Sequence, residues 1–145
     1  MRSVIAISAF AIVGGLAYTM WPASDQSVQT GIGLGAADDA ALVEVVLPDE
    51  LSQNAQIGER AYRITCAACH GPNAVGQDGV APPLIHKIYE PSHHGDESFQ
   101  RAAALGVRAH HWSFGNMPPV EGIARADVTM IIAYIRELQR ANGIN

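Results

Sequence analysis

Cys66 and Cys69 are separated by two alanines and followed at once by His70, and they are the only cysteines in the chain. Residues three apart on a helical turn share a face. Both thiols can therefore form thioethers with the vinyl groups of one haem, while the next residue brings its imidazole under the iron. C-x-x-C-H is the spacing that this attachment requires. Three other chemistries use the same residue types. A thioredoxin-like redox pair needs a βαβ pattern around it, and none is legible here. A structural zinc site needs a second pair of ligands at matched spacing. A disulfide across two residues closes a small, strained loop.

An iron held by His70 on one side leaves the other axial position to be filled. Of the four methionines, Met1 is the initiator and Met20 lies in an apolar N-terminal stretch. Met130 falls in a helical pattern, where filling the core is the expected role. Met117 stands between Gly115 and Pro118-Pro119, in a loop that can aim a side chain, and is the best sixth ligand. The chain also carries His86, His93, His94, His110 and His111. These are read as exposed loop and helix-end residues. A second reading gathers some of them near Met117 as a metal site, with copper the guest for imidazole and thioether ligands. A third makes His110 or His111 the distal ligand in place of Met117. Pro82 lacks an N–H but offers a carbonyl that could hold His70 Nδ1–H, fixing the ring and raising its basicity. A stiff turn would look the same in sequence. Leu84 and Ile85 would then pack on the macrocycle.

These side chains need a scaffold. Ser52 is a plausible N-cap for a helix running through Ala55, Ile57, Gly58, Ala61, Tyr62 and Ile64 into Cys66. Gly58, Tyr62 and Cys66 fall on one face. A glycine there costs about 1 kcal/mol against alanine, which close approach of another helix would explain. Residues 71–87 read as loop from their glycines and prolines. Asp96 to Leu105 reads as a short helix with Phe99, Ala102 and Ala103 inward and Gly106 ending it. The clearest amphipathic stretch runs from Arg125 to Arg140, with Val128, Ile131, Ile132, Ile135 and Leu138 at helical spacing and Tyr134 on the flank. Its N-cap is poor: Ala124 stands where Ser or Asp is expected, although Asp127 suits the helix dipole.

A chain of 145 residues allows one domain of about 100 residues plus appendages. The hydrophobic share of 48% is inflated by the N-terminal block, and the net charge of -5 is uneven. Before Leu51 stand Asp25, Asp38, Asp39, Glu44, Asp49 and Glu50 against Arg2 alone, so the remainder is near neutral. No basic cluster with interleaved aromatics is present, which argues against nucleic acid as a partner. Residues 3–24 carry no charged side chain. They read either as a secretory signal cut after Gly15-Leu16-Ala17 or as an uncleaved anchor. Spanning the hydrocarbon core takes about 20 apolar residues, which favours the anchor, and Tyr18 and Trp21 suit an interfacial belt. The expected organisation is a signal-anchor or signal peptide over 1–24, an acidic, glycine-containing flexible tether over 25–50, and a domain over 51–145. The tether would span on the order of 30 Å. Ala41 to Leu47 could be a short ordered piece lying on the domain.

Taken together, Gly58-x3-Tyr62-x3-Cys66-x2-Cys69-His70-Gly71, then Pro82-Pro83-Leu84, Met117-Pro118 and a terminal helix with Tyr134 resemble class I cytochrome c. The resemblance covers Leu51 to Asn145. The Met-Pro pair alone is a weak signal, and C-x-x-C-H is fairly specific; their order and spacing make the set strong. Haem cysteines in the first half argue against the four-helix cytochrome c′ type. The resemblance implies an all-α fold of three to five helices around one covalently attached haem c, with first and last helices crossing at Gly58 and Tyr134. It implies His70 as proximal ligand, Met117 as distal ligand and Pro82 as carbonyl acceptor. Trp112 stands where some small bacterial members place an indole donor to a haem propionate, though a buried core tryptophan would look identical. The additional histidines depart from the family pattern.

The same resemblance sets expectations for function. His and Met ligation closes both axial positions, so O₂ and substrates bind poorly, and the thioether raises the potential relative to two imidazoles. The protein is then expected to be an electron carrier, not an enzyme, with no small-molecule substrate. It would pass single electrons between respiratory-type redox partners by transient docking. Its place would be the periplasmic, outer face of the bacterial inner membrane, anchored by residues 3–24 or soluble after cleavage. Two rivals stand beside this: a haem-bearing subunit of a larger dehydrogenase or copper oxidase, and a haem sensor or peroxidase in which Met117 dissociates.

Overall fold

Ser52 opens the first helix, α1 (Gln53–Thr65), by accepting the Ala55 N–H on its hydroxyl at 3.2 Å. That bond satisfies one of the N–H groups a helix start leaves unpaired. The Ser52 backbone N–H and hydroxyl both donate to the Glu137 carboxylate, at 3.0 and 2.6 Å, so the last helix grips the first at its cap. The computed structural model describes residues 41–145. In order they form α1, the single turn α2 (Ala67–His70), α3 (Asp96–Leu105) and α4 (Arg125–Ala141), with 3-10 turns at Pro72–Ala74 and Lys87–Tyr89. Two isolated β-bridges, Gln77 with Ala81 and Val107 with Met117, are the only extended pairing among the described residues.

The crossing of α1 and α4 builds the core. A Cβ added at Gly58 would lie 1.8 Å from the Met130 carbonyl oxygen, so backbone rests on backbone there. Tyr134 lies one turn on along α4. Its ring packs 5.6 Å from that of Tyr62, and its hydroxyl donates to Asn73 Oδ1 at 3.1 Å. Met130, expected as filler, contributes its carbonyl to the crossing, and its side chain is only half-buried. Val128, Ile131, Ile132, Ile135 and Leu138 are buried on α4, as the helical spacing requires. The α4 start lacks a side-chain cap at Ala124; the Asp127 carboxylate accepts the Ala124 N–H in a long bond of 3.4 Å.

Two polar residues in the α4 core face were not anticipated. Arg136 is 7% exposed and donates to the carbonyls of Tyr89 and His94, to Asp96 Oδ1 and to Gln139 Oε1. Its guanidinium also sits 4.9 Å from the Phe99 ring centroid. Gln139, fully buried, donates to the carbonyls of Leu84 and Tyr89. A loop with no ladder of its own leaves such carbonyls without partners, and α4 supplies the donors.

Residues 1–24 and 25–40, expected as export segment and most of the tether, lie outside the described residues. From Leu42 the chain lies on the domain, as expected of the 41–47 piece within the tether. Leu42 N–H donates to the Val75 carbonyl at 3.1 Å, and Val46 exchanges two 2.8 Å bonds with the Asn142 amide. No helix among the described residues is long and apolar enough to cross a membrane.

Candidate metal centre

Cys66 ends α1 and begins α2: its N–H donates to the Tyr62 carbonyl, and its own carbonyl accepts from Cys69 and His70. The two thiols and the imidazole are thereby set on one tight turn. Behind it the chain reverses at Gly71, whose φ of 73° belongs to glycine and where a Cβ would come within 2.6 Å of the Gly76 carbonyl oxygen. The buried Tyr62 hydroxyl donates to the Gly71 carbonyl at 2.9 Å, and Gly76 N–H donates to the His70 carbonyl at 2.8 Å. His70 is therefore bracketed on both sides by backbone bonds. Its Nδ1 lies 2.9 Å from the Pro82 carbonyl, to which it donates. That assigns the lone pair to Nε2. Burial lowers the His70 pKa and so favours the neutral ring, and the Pro82 bond partly opposes this.

Cys66 is half-buried and Cys69 exposed, and neither is in a disulfide. Burial, and then the neighbouring Cys69, push the Cys66 thiol up to about 11. Redox pairs of the thioredoxin kind depend on a lowered thiol pKa, and this site does the opposite.

Cys66, Cys69, His70, Pro82, Leu84 and Met117 line one cleft of 1020 Å³, floored by Val128, Ile131, Ile132 and Ile135. That is the upper end of the range for small-molecule pockets. Leu84 faces it, whereas Ile85 turns away into the core between the helices, so the expected pair splits. The wall opposite in sequence is the 106–119 loop. Val107 and Met117 exchange backbone hydrogen bonds at 2.9 and 3.0 Å. Gly106, at φ 73°, lets the Met117 carbonyl approach to where a Cβ would be only 2.5 Å away. Asn116 Oδ1 accepts from Ala109 N–H at 2.9 Å, and Val120 N–H donates to the Ala103 carbonyl at 2.8 Å. Met117 is thus clamped through its backbone, and its side chain is left on the cleft.

Trp112 also lines the cleft. Its Nε1–H is buried and has no partner; Tyr89 stands beside the indole but outside hydrogen-bonding geometry. An orphaned buried N–H costs about 1–3 kcal/mol, so an acceptor belonging to whatever fills the cleft is called for. The donor set of two thiols, an imidazole and a thioether around an apolar floor, with one N–H awaiting an oxygen, fits a haem.

Against this geometry stands one comparison. The family model for Cytochrome c matches residues 55–139, more than half of the chain. The chain belongs to the cytochrome c family. No curated protein matches it. Membership carries with it a covalently bound haem c and a role in electron transfer, and it accords with the mostly helical fold, free of sheet among the described residues.

The remaining histidines divide. His86 stands apart from the cluster: its Nδ1 accepts the Ile88 N–H, and its ring meets Trp112 edge-on at 5.3 Å. The copper reading that included His86 therefore loses that ligand. His93, His94, His110 and His111 come together at the cleft's rim, with ring separations from 4.2 to 6.1 Å. Arg136 and Gln139, which hold the loop carrying Pro82 to His94, were missed. A pattern scan treats Arg136 as a solvent-facing charge; only its position within the apolar stripe between Ile135 and Leu138 hinted otherwise.

Proposed function

We propose that the protein is a monohaem electron carrier, with Cys66 and Cys69 joined to the haem, His70 and Met117 its axial ligands, and Trp112 donating to a propionate. When bound, the haem supplies reversible one-electron exchange. The chain's own residues do the rest. The Pro82 carbonyl fixes the His70 tautomer and orientation, and the Val107 pairing fixes the height of Met117. Val128, Ile131, Ile132 and Ile135 exclude water beneath. Keeping water from that side would lower the reorganisation that accompanies a change of charge.

The observation that carries this reading is that His70 and Met117, forty-seven positions apart in the chain (117 less 70), line the same apolar cleft, each clamped by backbone bonds. With His70 and Met117 both holding it, a haem here would supply one-electron exchange rather than binding of O₂ or substrate. The site of action we propose is the outer face of the bacterial inner membrane, reached through residues 3–24, with respiratory-type redox proteins as transient partners. The near-neutral balance after Leu51 supports docking with weak electrostatic steering.

The test is the absorption spectrum of ferric holoprotein before and after Met117→Ala. Loss of the thioether-to-iron charge-transfer band, with the haem still attached after acid-acetone, is the expected result. An unchanged band would remove Met117 as the ligand. A stable partner complex in mild-detergent size exclusion would replace the shuttle by an oxidoreductase subunit.

A further inference from the structure

The histidines at the rim are more than a crowd of exposed side chains. One nitrogen from each of His93, His94 and His111 can be chosen so that all lie within 4.8 Å of one another. Three nitrogens bound tetrahedrally to one ion at about 2.0–2.1 Å would stand about 3.3 Å apart. The set therefore has to close by roughly 1.5 Å at most. His93 and His111 are exposed, so rotation about their own side-chain bonds can supply that closure.

His94 is held already. Its Nδ1 donates to the Ile88 carbonyl at 2.6 Å, which leaves Nε2 with the lone pair. A ring nitrogen tied to a carbonyl is the arrangement that orients metal-bound histidines and raises their basicity. The carbonyl of His94 is itself bound by Arg136, so the backbone that carries this ring is anchored to α4. The N–H groups of His93 and His94 both donate to the Glu90 carbonyl, at 3.0 and 2.8 Å, which closes the turn that carries them. The site thus has one preorganised ligand and two adjustable ones.

We propose that His93, His94 and His111 form a second metal site, for a divalent ion that prefers imidazole, of the zinc or copper class, with its fourth position open to water. Hard ions such as Mg²⁺ and Ca²⁺ prefer oxygen ligands, and the set supplies none. His110 is not among the three whose nitrogens meet, although its ring packs 4.2 Å from that of His111. The triad stands on this geometry alone, while its coupling to the haem rests on the electron-carrier reading.

An ion here would sit on the rim of the cleft lined by His70 and Met117. A dication at that edge opposes the extra positive charge of a ferric centre. Its affinity is then higher for the reduced protein, and by linkage its binding favours reduction to the same extent.

Isothermal titration of Zn²⁺ into the metal-free ferric holoprotein tests the site, and repeating it on the ferrous form tests the coupling. One Zn²⁺ per chain is expected, with affinity reduced more than about tenfold in His93→Ala and in His111→Ala. His110→Ala should bind as the wild type does, and the absorption spectrum should keep its charge-transfer band throughout. No saturable binding, or equal binding in all three variants, overturns the triad. Equal affinity for the two oxidation states overturns the coupling. Loss of the charge-transfer band on adding Zn²⁺ would mean that the ion displaces an axial ligand, which also overturns it.

Discussion

Gly58 and Met130 touch backbone to backbone: the position a Cβ would take on Gly58 is 1.8 Å from the Met130 carbonyl oxygen. Neither helix can yield locally, because the obstructing atom belongs to a hydrogen-bonded main chain. Alanine's helix propensity would recover about 1 kcal/mol, far less than forcing two packed helices apart. Gly58→Ala is expected to lower stability by about 2 kcal/mol or more, read by chemical denaturation of the holoprotein.

Arg136 and Asp96 form an ion pair of unequal partners, with side chains 9% and 69% exposed. Removing the acid therefore costs little, and Asp96→Asn should change stability by less than about 1 kcal/mol. Removing the base leaves the His94 carbonyl and Gln139 Oε1 without their donor, and the Tyr89 carbonyl with Gln139 alone. Arg136→Ala should cost about 3 kcal/mol, with faster hydrogen exchange across residues 84–94 as the signature.

Ala124 begins α4 with a methyl group where an oxygen would accept an N–H. Ala124→Ser should raise stability by about 1 kcal/mol. A thermal midpoint unchanged or lowered would show that a hydroxyl at this position does not reach the N–H groups of the first turn.

Burial, with Glu59 adding to it, raises the Tyr134 phenol to about 12 from its ordinary 10. A raised phenol means that the folded state holds its proton longer than the unfolded chain does. The stabilisation is complete below about pH 10 and is lost as pH climbs through 12. Tyr134→Phe should flatten the fall in stability between pH 10 and 12. Burial raises Tyr62 as well, so a residual alkaline slope is expected in the variant.

Much of this was legible in the sequence, for identifiable reasons. Period and caps were enough for α1, α3 and α4, because Ser52, Gly106 and the Val128-to-Leu138 stripe are local signals. The placement of Cys66, Cys69 and His70 on one turn was equally local. What stayed hidden was long-range. The partner of Gly58 is 72 positions away (130 less 58), and nothing local marks the Met130 carbonyl as the contact. The rim cluster likewise joins His93-His94 to His110-His111 across α3, and pairing of that kind leaves no periodic trace.

The two-way bond between Val46 and the Asn142 amide works as a strain relief. A tug arriving along the backbone from ahead of residue 41 is taken up there and at the Leu42–Val75 bond, before it reaches α1. The load passes to α4 through Asn142 and to the turn that holds Val75.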